Sequence, residues 1–352
     1  MANAIGAVCL VAALLFIVYV LRQRSTKLRA RRLASLRAKG QKAMQACLWD
    51  KAIRFYTKAS RLAVGVELAD AHRQLGVCLQ SQGRLAEAEA SFSAAVESAQ
   101  QCGDMAIKAS ALRGLGLVWQ RKGDHDKAMA YYDQSIALCR EHGDRIGEAA
   151  AQSNIGLLWQ TAGDLDQASR FFQLALDVFR ELDAKQMIAS VLGNIALIHQ
   201  NREEYDLALE CLNRTLTIAR EMGNRQLEAT TLGNVANMYL EKHQPDTALA
   251  TFEALLAAHR EMGDQDGEAR DLASIGHSLI LKFEHERAAS YLAQAVKAFL
   301  RLEIPDGPRK CLTGLRMCLT AMGVKEFSAV CEEAKLEPRT VTELLKVLEH
   351  RH

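Results

Sequence analysis

The chain has 352 residues, 49% of them apolar and 24% charged, with only 6% aromatic and 4 prolines. That excludes a disordered or collagen-like chain and leaves enough apolar surface for a large core or one long repetitive array. The net charge is +2, and the nine cysteines are scattered without a CxxC pair, which argues against a secreted disulfide framework and a structural zinc site.

In chain order, residues 4–21 form 18 consecutive positions without a charge. As a helix this run would measure roughly 27 Å, close to the roughly 30 Å hydrocarbon core of a bilayer, so residues 1–21 are expected to be a transmembrane anchor. A cleaved signal peptide would need a basic stretch before the run, yet Arg22 follows it directly. Residues 22–39 hold eight basic side chains and no acid, and 22–32 read as a basic juxtamembrane segment that can also rest on anionic lipid. That flank predicts a single-pass membrane protein whose repeats face the cytoplasm. The membrane would be plasma or inner in a bacterium, and endoplasmic reticulum or outer mitochondrial in a eukaryote. Without those eight cations the chain holds 36 Lys and Arg against 42 Asp and Glu, a mildly acidic body with no clustered basic face. No nucleic-acid partner is expected.

From residue 68 the chain repeats every 40 residues without a gap. Small residues recur at Gly76, Gly116, Gly156, Ala196, Ala236 and Gly276, and alanines at Ala88, Ala128, Ala168, Ala208, Ala248 and Ala288. Bulky columns run Leu79, Trp119, Trp159, His199, Tyr239, Leu279 and Phe92, Tyr132, Phe172, Leu212, Phe252, Leu292. Such register means a solenoid of identical supersecondary units. Inside a unit the apolar positions follow i, i+3, i+4, i+7, as in Leu112, Leu115, Gly116 and Trp119, so each unit reads as two helices. Gly-Asp pairs such as Gly123-Asp124 and Gly163-Asp164 supply a left-handed C-cap and then an N-cap. The small columns mark where the paired helices approach closely. Gly40, Ala52 and Tyr56 repeat the offsets in a degenerate first unit, and Gly323 begins the second half of a degenerate last one. The solenoid therefore spans 33–334, in about eight helix pairs. Residues 335–352 are expected to cap the open core with Val341, Leu344, Leu345 and Leu348, the helix opening at the capping box Thr340–Glu343.

This pattern of a small residue after an aliphatic, an aromatic three on, an alanine twelve on and an aromatic four later resembles the tetratricopeptide repeat family. The period of 40 resembles its long-repeat subclass, found in kinesin light chains, Pins-type polarity scaffolds and Rap-type regulators. The resemblance implies an all-α, right-handed α-solenoid whose first helices line the inner surface.

No phosphate loop, HExxH, GxSxG or dinucleotide fingerprint is present. His285-Glu286, Cys139 with His142, and His350 with His352 never make a set of three metal ligands. No enzyme activity, metal or cofactor is expected. Two polar columns stand out on the first helices: Asn154, Asn194, Asn234, and Gln80, Gln120, Gln160, Gln200. Solvation alone would call for mixed polar residues. A repeated carboxamide offers a donor and an acceptor at a fixed spacing, which suits the backbone of an extended peptide. The resemblance implies that use for the asparagines, because kinesin light chains and Pins-type scaffolds carry such a ladder there. Arg73 and Arg113 occupy equivalent positions and could pair with an acidic motif, or stand as ordinary surface arginines. The expected function is a membrane-tethered adaptor that binds a protein or peptide segment in its groove. A Rap-type peptide-responsive regulator, or the same scaffold facing another compartment, is the alternative.

Overall fold

The computed structural model describes residues 26–304 and 306–349, and these divide into two compact units on either side of the Asp183–Ala184 bond. Every described element is a helix or a turn, with no strand among the described residues.

The first unit holds α1 (26–45), α2 (Trp49–Ser60), α3 (Val66–Ser81), α4 (Leu85–Cys102), α5 (Met105–Arg121), α6 (His125–Glu141), α7 (Arg145–Ala162) and α8 (Leu165–Glu181). The second holds α9 (Lys185–Asn201), α10 (Tyr205–Glu221), α11 (Arg225–Glu241), α12 (Pro245–Met262), α13 (Gln265–Leu281), α14 (His285–Arg301), α15 (Gly307–Met322), α16 (Val324–Glu333) and α17 (Pro338–Glu349). Odd-numbered helices are the first of each pair and even-numbered ones the second, and α17 follows the last pair.

The turns keep a stricter rhythm than the repeat. Every twentieth residue from 83 to 323 has positive φ. Eight of these are glycines, which enter that region freely. Asp183, Glu203, His243, Phe283 and Glu303 are the others, held there by the helices on either side. After the turn, the side chains of Asp104, Asp124, Asp144, Asp164, Asn224 and Asp264 accept a hydrogen bond from the backbone N–H three residues on, at 2.8–3.1 Å. Each such cap is worth about 1 kcal/mol.

Within a pair, the ring of the second helix rests on the small residue of the first, sixteen positions earlier. A Cβ on Gly76 or Gly156 would stand 2.8 Å from ring carbons of Phe92 or Phe172, and on Gly116 it would stand 2.5 Å from Tyr132. These rings are buried. Phe92 also covers Gly114 on the next pair, so one ring ties two pairs together. In the second unit a larger core runs from α11 to α17 through Phe252, Leu292, Phe299 and Phe327 and closes under Val341, Leu344 and Leu348. Cys311, Cys318 and Cys331 lie in it as free thiols, pushed by burial to about 12, 11 and 11. Helix α17 starts at Pro338 rather than at Thr340, because proline at a first helical position sacrifices no hydrogen bond. Glu343 pairs with Arg339 at 3.1 Å and does not close a capping box.

Among the described residues no helix is long and apolar enough to cross a membrane. The helices of 18 residues or more, α1, α4, α7 and α12, carry charges such as Arg31, Glu87, Glu148 and Glu253 within their length. That finding overturns the single-pass, cytoplasm-facing membrane placement. The apolar run 4–21 and the start of the basic flank lie outside the described residues.

Candidate functional site

In the first unit the glutamine column turns inward. Gln80 is buried and its backbone carbonyl accepts from Arg121 Nη1 at 2.8 Å. Gln120 Oε1 accepts from the Tyr132 hydroxyl at 2.8 Å. The amide nitrogens of Gln80 and Gln160 are buried without a hydrogen-bond partner. The repeat supplies the reason: the ring twelve residues on is Tyr132 for Gln120, but Phe92 for Gln80 and Phe172 for Gln160, and phenylalanine has no hydroxyl. Asn154 is half-buried on α7.

The two arginines differ in setting. Arg73 Nη2 meets Asp70 at 2.6 Å, and Arg37 shares the same carboxylate at 2.7 Å. Arg113 faces a cavity of about 340 Å³ lined by Arg73, Ile107, Ser110, Asp144, Ile146 and Gly147. Burial pushes its guanidinium below the usual arginine range.

In the second unit the polar columns converge. Gln200 of α9 and Asn234 and Asn237 of α11 line one groove of about 290 Å³, with Gly193, Leu197 and Met238. Asn234 and Asn237 also line the next groove, about 210 Å³, with Gln226, Thr230, Gly233 and Ser274. Asn194 is half-buried on α9 and lines neither. The second groove has a buried polar floor, where His259 Nδ1 lies 2.6 Å from Asp271 Oδ2. Burial raises the Asp271 carboxyl, and the bond to His259 partly offsets that.

Sequence reasoning passed over Gly193, Gly233 and Asn237. The signal was present: Gly193-Asn194 and Gly233-Asn234 are the same dipeptide one repeat apart, in helix interiors. A helix-interior glycine costs about 1 kcal/mol against alanine. Nothing lies within 4 Å of a Cβ built on either one, so no neighbouring side chain requires them.

A family model described as tetratricopeptide repeat matches residues 67–141, 107–181 and 187–261, more than half of the chain. The chain belongs to the tetratricopeptide repeat family. Its fold is similar to that of the apo form of RapI, at 13% identity over 87% of this chain and 85% of that one, with a TM-score of 0.62. The apo form of the quorum sensor NprR from B. thuringiensis is similar at 14% identity over 90% and 87%, with a TM-score of 0.60. A third is a signal-transduction ATPase with a tetratricopeptide repeat sensor from Pyrococcus horikoshii, at 12% identity and a TM-score of 0.61. It covers 85% of this chain but only 45% of that one. No curated protein matches the chain in sequence.

Proposed function

We propose that this chain is a protein-binding scaffold that holds an extended segment of a partner across its first helices, the carboxamides pairing with the partner's backbone. The observation that carries this reading is the pair Gly193 and Gly233. Each gives up helix stability with no packing return, and each lines a groove beside Gln200, Asn234 or Asn237. A missing side chain there lets a ligand backbone approach a helix that already presents donors and acceptors. Asn194 holds the same sequence column one repeat before Asn234, and Asn154 holds it in the first unit.

The test is the triple replacement of Asn154, Asn194 and Asn234 by alanine. A backbone amide removed from water loses about 1–3 kcal/mol when its partner is deleted. Three losses should weaken partner capture by several decades. Helix stability should hold or rise, because asparagine is a poorer helix former than alanine. Crosslinking of the captured partner should mark the faces around residues 193–200 and 226–237. Undiminished capture by the triple variant would return these columns to solvation.

The fold likeness to NprR, whose description is that of a quorum sensor, supports a second reading in which a small peptide alters the array and another protein reads the change. Peptide-dependent change in hydrogen exchange beyond the first helices would separate it from a passive scaffold.

A further inference from the structure

Three arginines crowd the first-helix face of the first unit, with two carboxylates beside them. Asp70 serves both Arg37 and Arg73, at 2.7 and 2.6 Å. Asp144 commits Oδ1 to the N–H of Gly147 at 2.8 Å and holds Oδ2 beside Cys139 Sγ, 3.9 Å away. Arg113 is left with the carbonyl of Gly147 at 3.5 Å, at the far edge of hydrogen-bond range. Five N–H donors in a rigid fork are thus nearly unused, in a half-buried side chain. Asp144 lines the same cavity and offsets part of that charge without forming an ion pair to the guanidinium. The column itself tells the same story: the positions equivalent to Arg113 in the following four repeats are Ser153, Gly193, Gly233 and Ala273, so the helix pair does not need an arginine for packing.

We propose that the cavity beside Arg113 is a carboxylate subsite, in which the guanidinium takes an acidic side chain of the bound partner segment fork to fork. This rests on the reading that the first helices hold such a segment. The cavity supplies what a glutamate or aspartate requires. Ile107 and Ile146 flank it for the methylenes, and Ser110 adds a hydroxyl. Three guanidiniums against Asp70 and Asp144 leave one net positive charge, which matches a carboxylate rather than a doubly charged phosphate. Asn154 stands seven residues beyond Gly147, on the same face of α7, so the backbone of that segment would run from the cavity toward it.

The experiment uses the full chain and two fluorescein-labelled nonapeptides with blocked C-termini, one alternating Glu and Ala and the other Gln and Ala, with binding followed by anisotropy. The parent should prefer the Glu peptide at least tenfold. Arg113→Met should erase the preference while its melting temperature holds, because the guanidinium makes one long hydrogen bond and no ion pair within the fold. Asp70→Asn frees two guanidiniums from their shared carboxylate and should widen the preference. Arg170→Gln, an exposed arginine on α8, should leave it unchanged. Equal or undetectable binding of the two peptides by the parent overturns the proposal. So does a preference that survives Arg113→Met, or a melting temperature that falls together with it. Alanine at Asn154, Asn194 and Asn234 should weaken both peptides alike, so failure of the carboxamide reading and failure of this one are separately visible.

Discussion

Replacing Phe172 by tyrosine should stabilise the chain, which is unusual for a fully buried position. Tyr132, the equivalent ring one repeat earlier, is equally buried and donates its hydroxyl to Gln120 at 2.8 Å. Phe172 lies over Gly156 as Tyr132 lies over Gly116, with the same ring edge toward the glycine. A hydroxyl on Phe172 would therefore reach the Gln160 carboxamide and, where Tyr132 donates to an oxygen, would accept from the amide nitrogen that is buried without a partner. A neutral hydrogen bond contributes about 0.5–1.5 kcal/mol net, and satisfying a group already buried lies toward the upper end. At about 2–4 °C per kcal/mol for a unit of this size, the midpoint should rise by roughly 1–6 °C. The reverse change, Tyr132→Phe, should lower it by a similar amount or more, because Gln120 then loses its partner. Thermal melts followed by circular dichroism read both. A Phe172→Tyr midpoint several degrees below the parent would mean that the added oxygen overpacks the seat, and the equivalence drawn between the two rings would be refuted.

Gly193→Ala and Gly233→Ala should each stabilise by about 0.5–1 kcal/mol in a denaturant titration while weakening partner capture. Gain of stability without loss of binding would separate these glycines from the ligand. Gly156→Ala should behave oppositely and lose about 1–3 kcal/mol, since its Cβ would meet the Phe172 ring at 2.8 Å. His259→Phe alone should cost about 3–5 kcal/mol by leaving Asp271 buried and unpaired, whereas His259→Phe with Asp271→Val should be neutral or stabilising. Phe299 and Val191 already occupy those columns elsewhere in the chain. The raised pKa of Asp271 means that the folded chain holds that proton more tightly than the unfolded one. Its contribution to stability should fall as pH rises from about 4 through the raised value, and Asp271→Asn should remove that slope in melts taken across the range.

Helix pairs, their close approach and most caps were legible in the sequence because each rests on local chemistry repeated in register. Gly123-Asp124 needs only its own residues to form the left-handed turn and the cap. Phe283 in the same conformation was not legible from its type, since an aromatic disfavours positive φ, but its place in the twenty-residue rhythm identifies it. The direction of the glutamine column was hidden for another reason. Whether Gln160 faces water or a ring depends on the second helix of its pair, and the partner that decides it, a tyrosine or a phenylalanine, lies twelve residues away. Arg73 and Arg113 look equivalent by column, and what separates them is Asp70, three residues before Arg73, where Ser110 stands in the next repeat. The membrane placement rested on residues outside the repeats, where no register constrained the reading.

The doubled duty of Phe92, seated on Gly76 within its own pair and on Gly114 of the next, bears on how the chain can be dissected. A fragment ending after α4 would keep half of that ring's setting and expose the remainder, so its solubility would report the missing neighbour rather than the property under study. Cuts that follow sequence periods are in this sense the worst ones. Fragments should end on a second helix whose ring position has been made polar, or carry α15 to α17 as a borrowed terminus, since Leu292 there finds its second seat at Gly314 and the core closes beyond it.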